Sequence, residues 1–177
     1  MIVLGVTPGV RSLAYCVLLV RRGATEPEVI DSDLLKGGDP GGDLKKETLA
    51  KKSKPHALTL EVVLERAFDL AKGTAVLLAI GPGSGKEPPE HVLFVRALLA
   101  GITVELAELG MRIDCVSWTT PEELDEVLGI GVKKAVRRSL NRQGTTLIRS
   151  PYVLAAGTAL AGLELLKKSQ QVRQFAS

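Results

Sequence analysis

Residues 1–20, MIVLGVTPGVRSLAYCVLLV, hold two apolar runs, Ile2 to Val6 and Leu13 to Val20, on either side of the turn signal Thr7-Pro8-Gly9. Two strands around a Pro-Gly turn predict a β-hairpin, and the rest of the chain is read outward from it. Glu28 to Leu35 follows as a third strand, less apolar and so placed nearer a sheet edge. The segment from about 36 to 56 is rich in glycine, proline and lysine and predicts a mobile loop, either a solvated connector or an arm touching nucleic acid. In Leu58 to Lys72 the residues Leu60, Val63, Leu64, Ala67 and Ala71 recur at helical spacing, and Gly73 ends that helix. Ala75 to Ile80 is a continuous apolar strand, suited to the centre of a sheet covered on both faces.

That strand runs into GPGSGKEPPE, Gly81 to Glu90. A phosphate-binding loop would need glycine five residues before Gly85, where Ile80 stands, and Ser or Thr after Lys86, where Glu87 stands. Pro88-Pro89 also removes backbone donors, so a nucleotide site is not expected there. From about Glu90 to Leu109 a helix carries one stripe of Val92, Val95, Leu99, Ile102, Leu106 and Leu109. A second line holds Ala97, Ala100, Gly101 and Val104. A helix apolar on two sides must bury both, one on the sheet and the other against a neighbouring helix or a second copy of the chain.

Met111 to Trp118 reads as a fifth strand, and Thr120-Pro121-Glu122-Glu123 as a capped helix start with acids at its positive end. After the break Leu128-Gly129-Ile130-Gly131, Val132 to Arg142 is helical, with Val132, Val136 and Leu140 inward. Lys133, Lys134, Arg137, Arg138 and Arg142 occupy the other half-turn with no acid among them. They repel one another unless an anion is near, which makes this face the candidate nucleic-acid surface, against the plainer reading of a solvated face. Ser150-Pro151 opens a last Ala- and Leu-rich helix to about Lys168, whose Ala155, Ala159 and Gly162 suit close packing on a sheet. One domain over residues 1–168 and a frayed tail over 169–177 are expected.

Composition bounds the class. Hydrophobic residues make up 45%, charged residues 24% and aromatics 3%, so a globular core must be built from Leu, Val, Ala and Ile. No run of about eighteen apolar residues spans a membrane, and the N-terminus enters a strand at once instead of a signal peptide. Cys16 and Cys115 are read as core thiols in a reducing cytoplasm, and two scattered cysteines with two histidines make no zinc site. The net charge of +3 is uneven: Gly129 to Ser177 has nine Lys or Arg and one acid, Met1 to Leu128 fourteen basic and nineteen acidic residues. A basic C-terminal third is a possible polyanion footprint.

The hairpin LGVTPGVRSLAYCVL resembles the opening hairpin of RuvC-type Holliday junction resolvases of the RNase H-like superfamily, whose pattern there is close to LGIDPGxRxxGYGVI. Leu4, Gly5, Pro8, Gly9, Arg11 and Tyr15 match it. VLLAI at the fourth strand, WTTPEELDEVLGIGVKKAVRRSL and AAGTALAG look like later stretches of the same family. The resemblance implies an α/β, RNase H-like mixed sheet of about five strands, the second antiparallel, flanked by helices. It also implies a homodimer through the helix near Leu99, four-way-junction or duplex DNA as partner, and cleavage by Mg²⁺ held on four carboxylates. The four matching positions here are Thr7, Gly81, Ala155 and Thr158, none of them charged, and Ser84 stands where an aromatic wedge is implied. The expectation is therefore a catalytically degenerate relative that binds branched or duplex DNA without cutting it and holds no metal. Two alternatives stand beside it. One is a protein-interaction scaffold, and the other a nuclease with a relocated site built on Glu87, Glu90, Asp31 or Asp33.

Overall fold

The computed structural model describes residues 1–9, 12–21, 23–24, 26–36, 76–83, 113–140 and 152–175, with helical positions 93, 97, 99–101, 103–104 and 107–108 between them. The expected loop beyond Lys36 to residue 56, the helix over 58–72, Ser84, the loop around Lys86, the candidate carboxylates Glu87 and Glu90, both histidines (His56 and His91) and Arg142 lie outside the described residues. Five strands make one mixed sheet in the order β3-β2-β1-β4-β5. They are β1 (Ile2–Pro8), β2 (Ser12–Leu19), β3 (Glu28–Lys36), β4 (Val76–Ile80) and β5 (Ile113–Ser117). β2 runs antiparallel to β1 and to β3, whereas β4 runs parallel to β1 and β5 parallel to β4. This is the RNase H-like mixed sheet expected from the hairpin.

β1 sits at the centre and all seven of its residues are buried. Side chains alternate across a strand, so its residues serve two cores. Ile2, Leu4 and Val6, with Val76, Leu78 and Ile80 of β4, pack on the side of Leu99. Val3 and Leu77 face the other way, toward the C-terminal helices α2 (Val132–Leu140) and α3 (Tyr152–Phe175). There Ala155, Ala156, Ala159, Leu160 and Leu163 of α3 meet Ala135, Val136 and Leu140 of α2. The expected inward set of α2 is right for Val136 and Leu140, while Val132 is half-buried.

The alanines matter because α3 lies on β1 at backbone distance. A methyl group at Gly5 would stand 2.6 Å from the Ala159 amide nitrogen and collide with the Ala155 carbonyl. A methyl at Gly162 would stand 3.0 Å from the Ala79 Cβ. Glycine facing alanine, on the strand at Gly5 and on the helix at Gly162, is thus the device that lets helix and sheet approach.

Two expectations are corrected. Cys115 is exposed, not buried, on β5 at the edge of the described sheet. Cys16 is buried as expected, and neither forms a disulfide. The last helix does not stop near Lys168 but continues to Phe175, since SQQVRQF contains no Gly or Pro to end it. Among the described residues no helix is long and apolar enough to cross a membrane.

Candidate functional site

The same alternation that divides the core brings one end of the sheet together. Val6 pairs with Ile80 in the parallel register, so Thr7 and Gly81 are the next neighbours at the strand ends. The Gly81 amide donates to the Val6 carbonyl at 2.7 Å and holds the two ends in step. Thr7 follows Val3 and Gly5 on the α3 side, and from above α3 lowers Ala155 and Thr158 toward it. A side chain added at Gly81 would collide with Thr158 Oγ1 and stand 3.2 Å from Thr7 Oγ1. Thr7, Gly81 and Thr158 therefore form one cluster, and Ala155, fully buried, lies beside it over Gly5.

The chemistry of this cluster is that of two hydroxyls. Thr158 Oγ1 donates to the Leu154 carbonyl one turn back along α3, at 2.8 Å. Thr7 Oγ1 is buried and has no hydrogen-bond partner among the described residues. A divalent cation such as Mg²⁺ needs several hard, preferably anionic, oxygen ligands. Two hydroxyls, one already engaged, with no side chain at 81 and a methyl at 155, do not fit it. Among the described residues no three His, Cys, Asp or Glu side chains gather to hold a metal ion. The alternative carboxylates on β3 do not approach the cluster. Asp31 pairs with Val17 and Asp33 with Tyr15, which places both on the Leu99 side of the sheet, opposite to Thr7. Tyr15 Oη donates to Asp31 Oδ2 at 3.1 Å.

The basic face is built beside this cluster. The helix α1 (Pro121–Leu128) starts in a capping box: the Glu123 amide donates to Thr120 Oγ1 at 3.3 Å, and the Glu123 carboxylate accepts from the Thr120 amide at 3.2 Å. Gly129, at φ +67°, ends it in the left-handed conformation that other residues adopt only with strain. The chain then reverses, and Asp125 Oδ1 accepts from the Val132 amide at 2.8 Å. This cap comes from the preceding helix instead of the residue before α2, and sequence reasoning missed it because no local pattern spans that break. The contact of Val132 with Gly157 seats α2 against α3, one residue from Thr158.

Lys133, Lys134, Arg137 and Arg138 are all exposed on α2. Other cations are engaged: Arg21 pairs with Glu28 at 3.0 Å, Lys167 with Glu164 at 2.7 Å, and Lys168 donates to the Val127 carbonyl at 3.3 Å. The four on α2 have no carboxylate within ion-pair distance among the described residues. The structure thus places four of the five sequence-predicted cations on one exposed helix.

The strand order, the antiparallel second strand and a closing helix laid on the central strands define an RNase H-like fold. More particularly, this is the fold of RuvC and related junction resolvases. The chain aligns with Thermus thermophilus RuvC over 96% of its length and 97% of that protein, at TM-score 0.65 and 18% identity. It aligns with T. thermophilus RuvC in complex with Holliday junction substrate over 95% of this chain and 96% of that one, at TM-score 0.62 and 21% identity. With the yeast mitochondrial Holliday junction resolvase the shares are 98% and 83%, the TM-score 0.53 and the identity 15%. No family model and no curated protein matches the chain.

Proposed function

We propose that this chain is a RuvC-like protein that binds branched or duplex DNA through α2 and does not cleave it. The observation that carries the proposal is the uncharged Thr7–Gly81–Thr158 cluster beside four exposed cations that pair with no carboxylate among the described residues. Cleavage in the resolvase family, by the resemblance, uses carboxylates at the cluster's positions. Here those positions carry no charge, and a side chain at 81 would meet the Thr158 hydroxyl. The α2 cations remain, and like charges one turn apart are relieved by phosphates. The same reading places the protein in the cytoplasm.

The same reading includes a homodimer. Leu93 and Val104 are each 59% exposed on the helical stretch around Leu99, and Ala97, Ala100 and Gly101 are exposed with them. Small residues between two larger apolar ones let a second helix come close. Val104→Glu would convert the dimer to a monomer, read as a halved mass by light scattering.

The deciding experiment is a band shift on a four-way junction and a matched duplex, in chelator, at two salt concentrations. Wild-type protein binds in a salt-sensitive way. Lys134→Glu with Arg138→Glu removes two phosphate contacts, so the slope of log affinity against log salt becomes shallower by about 2. Affinity unchanged in that variant overturns the placement of the surface. Cleavage by wild-type protein on adding Mg²⁺ or Mn²⁺ overturns the degenerate site.

A further inference from the structure

A groove of about 520 Å³ lies where the N-terminal ends of α1, α2 and α3 meet. Its walls are apolar, formed by Pro121, Val132, Val153 and Leu154, and its rim carries Lys133 and Lys134. The carboxylate that also reaches it, Asp125, is engaged by the Val132 amide. The size lies within the roughly 300–1,000 Å³ that small-ligand pockets occupy.

We propose that this groove receives one unpaired nucleobase, with Lys133 and Lys134 on the phosphates that flank it. The proposal rests on the nucleic-acid reading above and deepens it. An apolar slot edged by two cations that pair with no carboxylate among the described residues suits a ligand that is apolar on its faces and anionic on either side. A nucleotide within a single strand has that form. A base inside a duplex does not, because its faces are stacked and its edges paired. Taking it out costs a few kcal/mol, least where the base is already unpaired. The groove therefore selects bulged, gapped or branched DNA over plain duplex. Its position agrees: Leu154, in its wall, accepts the Thr158 hydroxyl, and Val132 touches Gly157, so the slot opens one helical turn from the Thr7 cluster.

The test compares two labelled duplexes in chelator, one fully paired and one with a single bulged 2-aminopurine, by anisotropy and by 2-aminopurine emission. The bulged duplex binds about tenfold more tightly, and its emission changes on binding as the base leaves its stack. Val153→Trp fills the groove. It abolishes both the preference and the emission change while paired-duplex affinity stays within about twofold. Pro121→Trp, at an exposed first helical position, is a second filler that reads the same way should Val153→Trp lower the melting temperature. Equal binding of the two duplexes, or a preference that survives both fillers, overturns the groove and leaves the α2 surface standing. Binding of neither duplex overturns both readings and turns the groove over to an acidic protein segment.

Discussion

Gly5→Ala adds a single methyl group to the central strand, and the structure indicates what it meets. The new carbon would lie 2.6 Å from the Ala159 nitrogen and 2.7 Å from the Ala159 Cβ, with the Ala155 carbonyl nearer still. Two of these atoms are helix backbone and cannot rotate away. Restoring an ordinary separation of about 3.5 Å lifts α3 from β1 by about 1 Å. A gap of that size forfeits roughly a quarter to a half of the dispersion attraction across the contact. Overpacking a core costs about 1–3 kcal/mol, and with backbone as the obstacle the upper end applies. At about 2–4 °C per kcal/mol for a chain of this size, the melting temperature falls by about 6–12 °C. Gly131→Ala is the matched control. The nearest atom to its added methyl, Asp125 Oδ2, is 4.0 Å away, and the position is exposed. Replacing glycine where alanine fits stabilises by about 0.4–1 kcal/mol through the unfolded chain, so the same substitution raises the melting temperature by about 1–4 °C. Thermal melts followed by circular dichroism read both. A Gly5→Ala protein melting within about 2 °C of wild type would mean that α3 does not rest on β1 at backbone distance.

Thr7→Val removes a buried hydroxyl that has no partner among the described residues, and should stabilise by about 1 kcal/mol without changing DNA affinity. A lower melting temperature would show that Thr7 Oγ1 is hydrogen-bonded after all. Asp125→Ala removes the cap on the Val132 amide and should cost about 1 kcal/mol, while also weakening the bulged-duplex preference because α2 loses its anchor. At pH 8 a thiol reagent should modify Cys115 in the native protein and reach Cys16 only on unfolding, so a fast reaction at both would place Cys16 outside the core. Burial, with Asp31 adding in the same direction, pushes the Cys16 thiol from 9.0 up to about 12. The native state therefore keeps a proton that the unfolded chain gives up above pH 9. This contribution is full below pH 9 and falls toward pH 12 at about 1.4 kcal/mol per pH unit. Denaturant midpoints of wild type and Cys16→Ala between pH 8 and 11 should converge as that contribution fades.

The hairpin could be read from residues alone because its signals are local. Apolar runs, a Pro-Gly turn and alternation by two act between near neighbours, and they determined β1, β2 and the two-sided core. The continuous apolar run at Val76–Ile80 and the alanines and glycine of the last helix identified the parallel central strand and the helix that covers it. The α2 cations were equally visible, since an uninterrupted basic half-turn needs no partner to be recognised. Exposure at Cys115 was not visible, because five residues of alternating character look alike at an edge and at the centre of a sheet. Only the pairing of β5 with β4 alone distinguishes them.

The site divides along the same line. The sequence determined that Thr7, Gly81, Ala155 and Thr158 carry no charge, and with the resemblance it marked them as a set. Tertiary structure alone decided that Thr7, Gly81 and Thr158 come together, that a side chain at 81 would meet the Thr158 hydroxyl, and that Asp31 and Asp33 stand on the far face of the sheet. It also placed Asp125 on the Val132 amide and opened a groove between three helix ends. Each of these depends on segments far apart in the chain being packed to within an ångström. Composition and periodicity carry which side of a strand or helix is buried, but not which atom lies opposite.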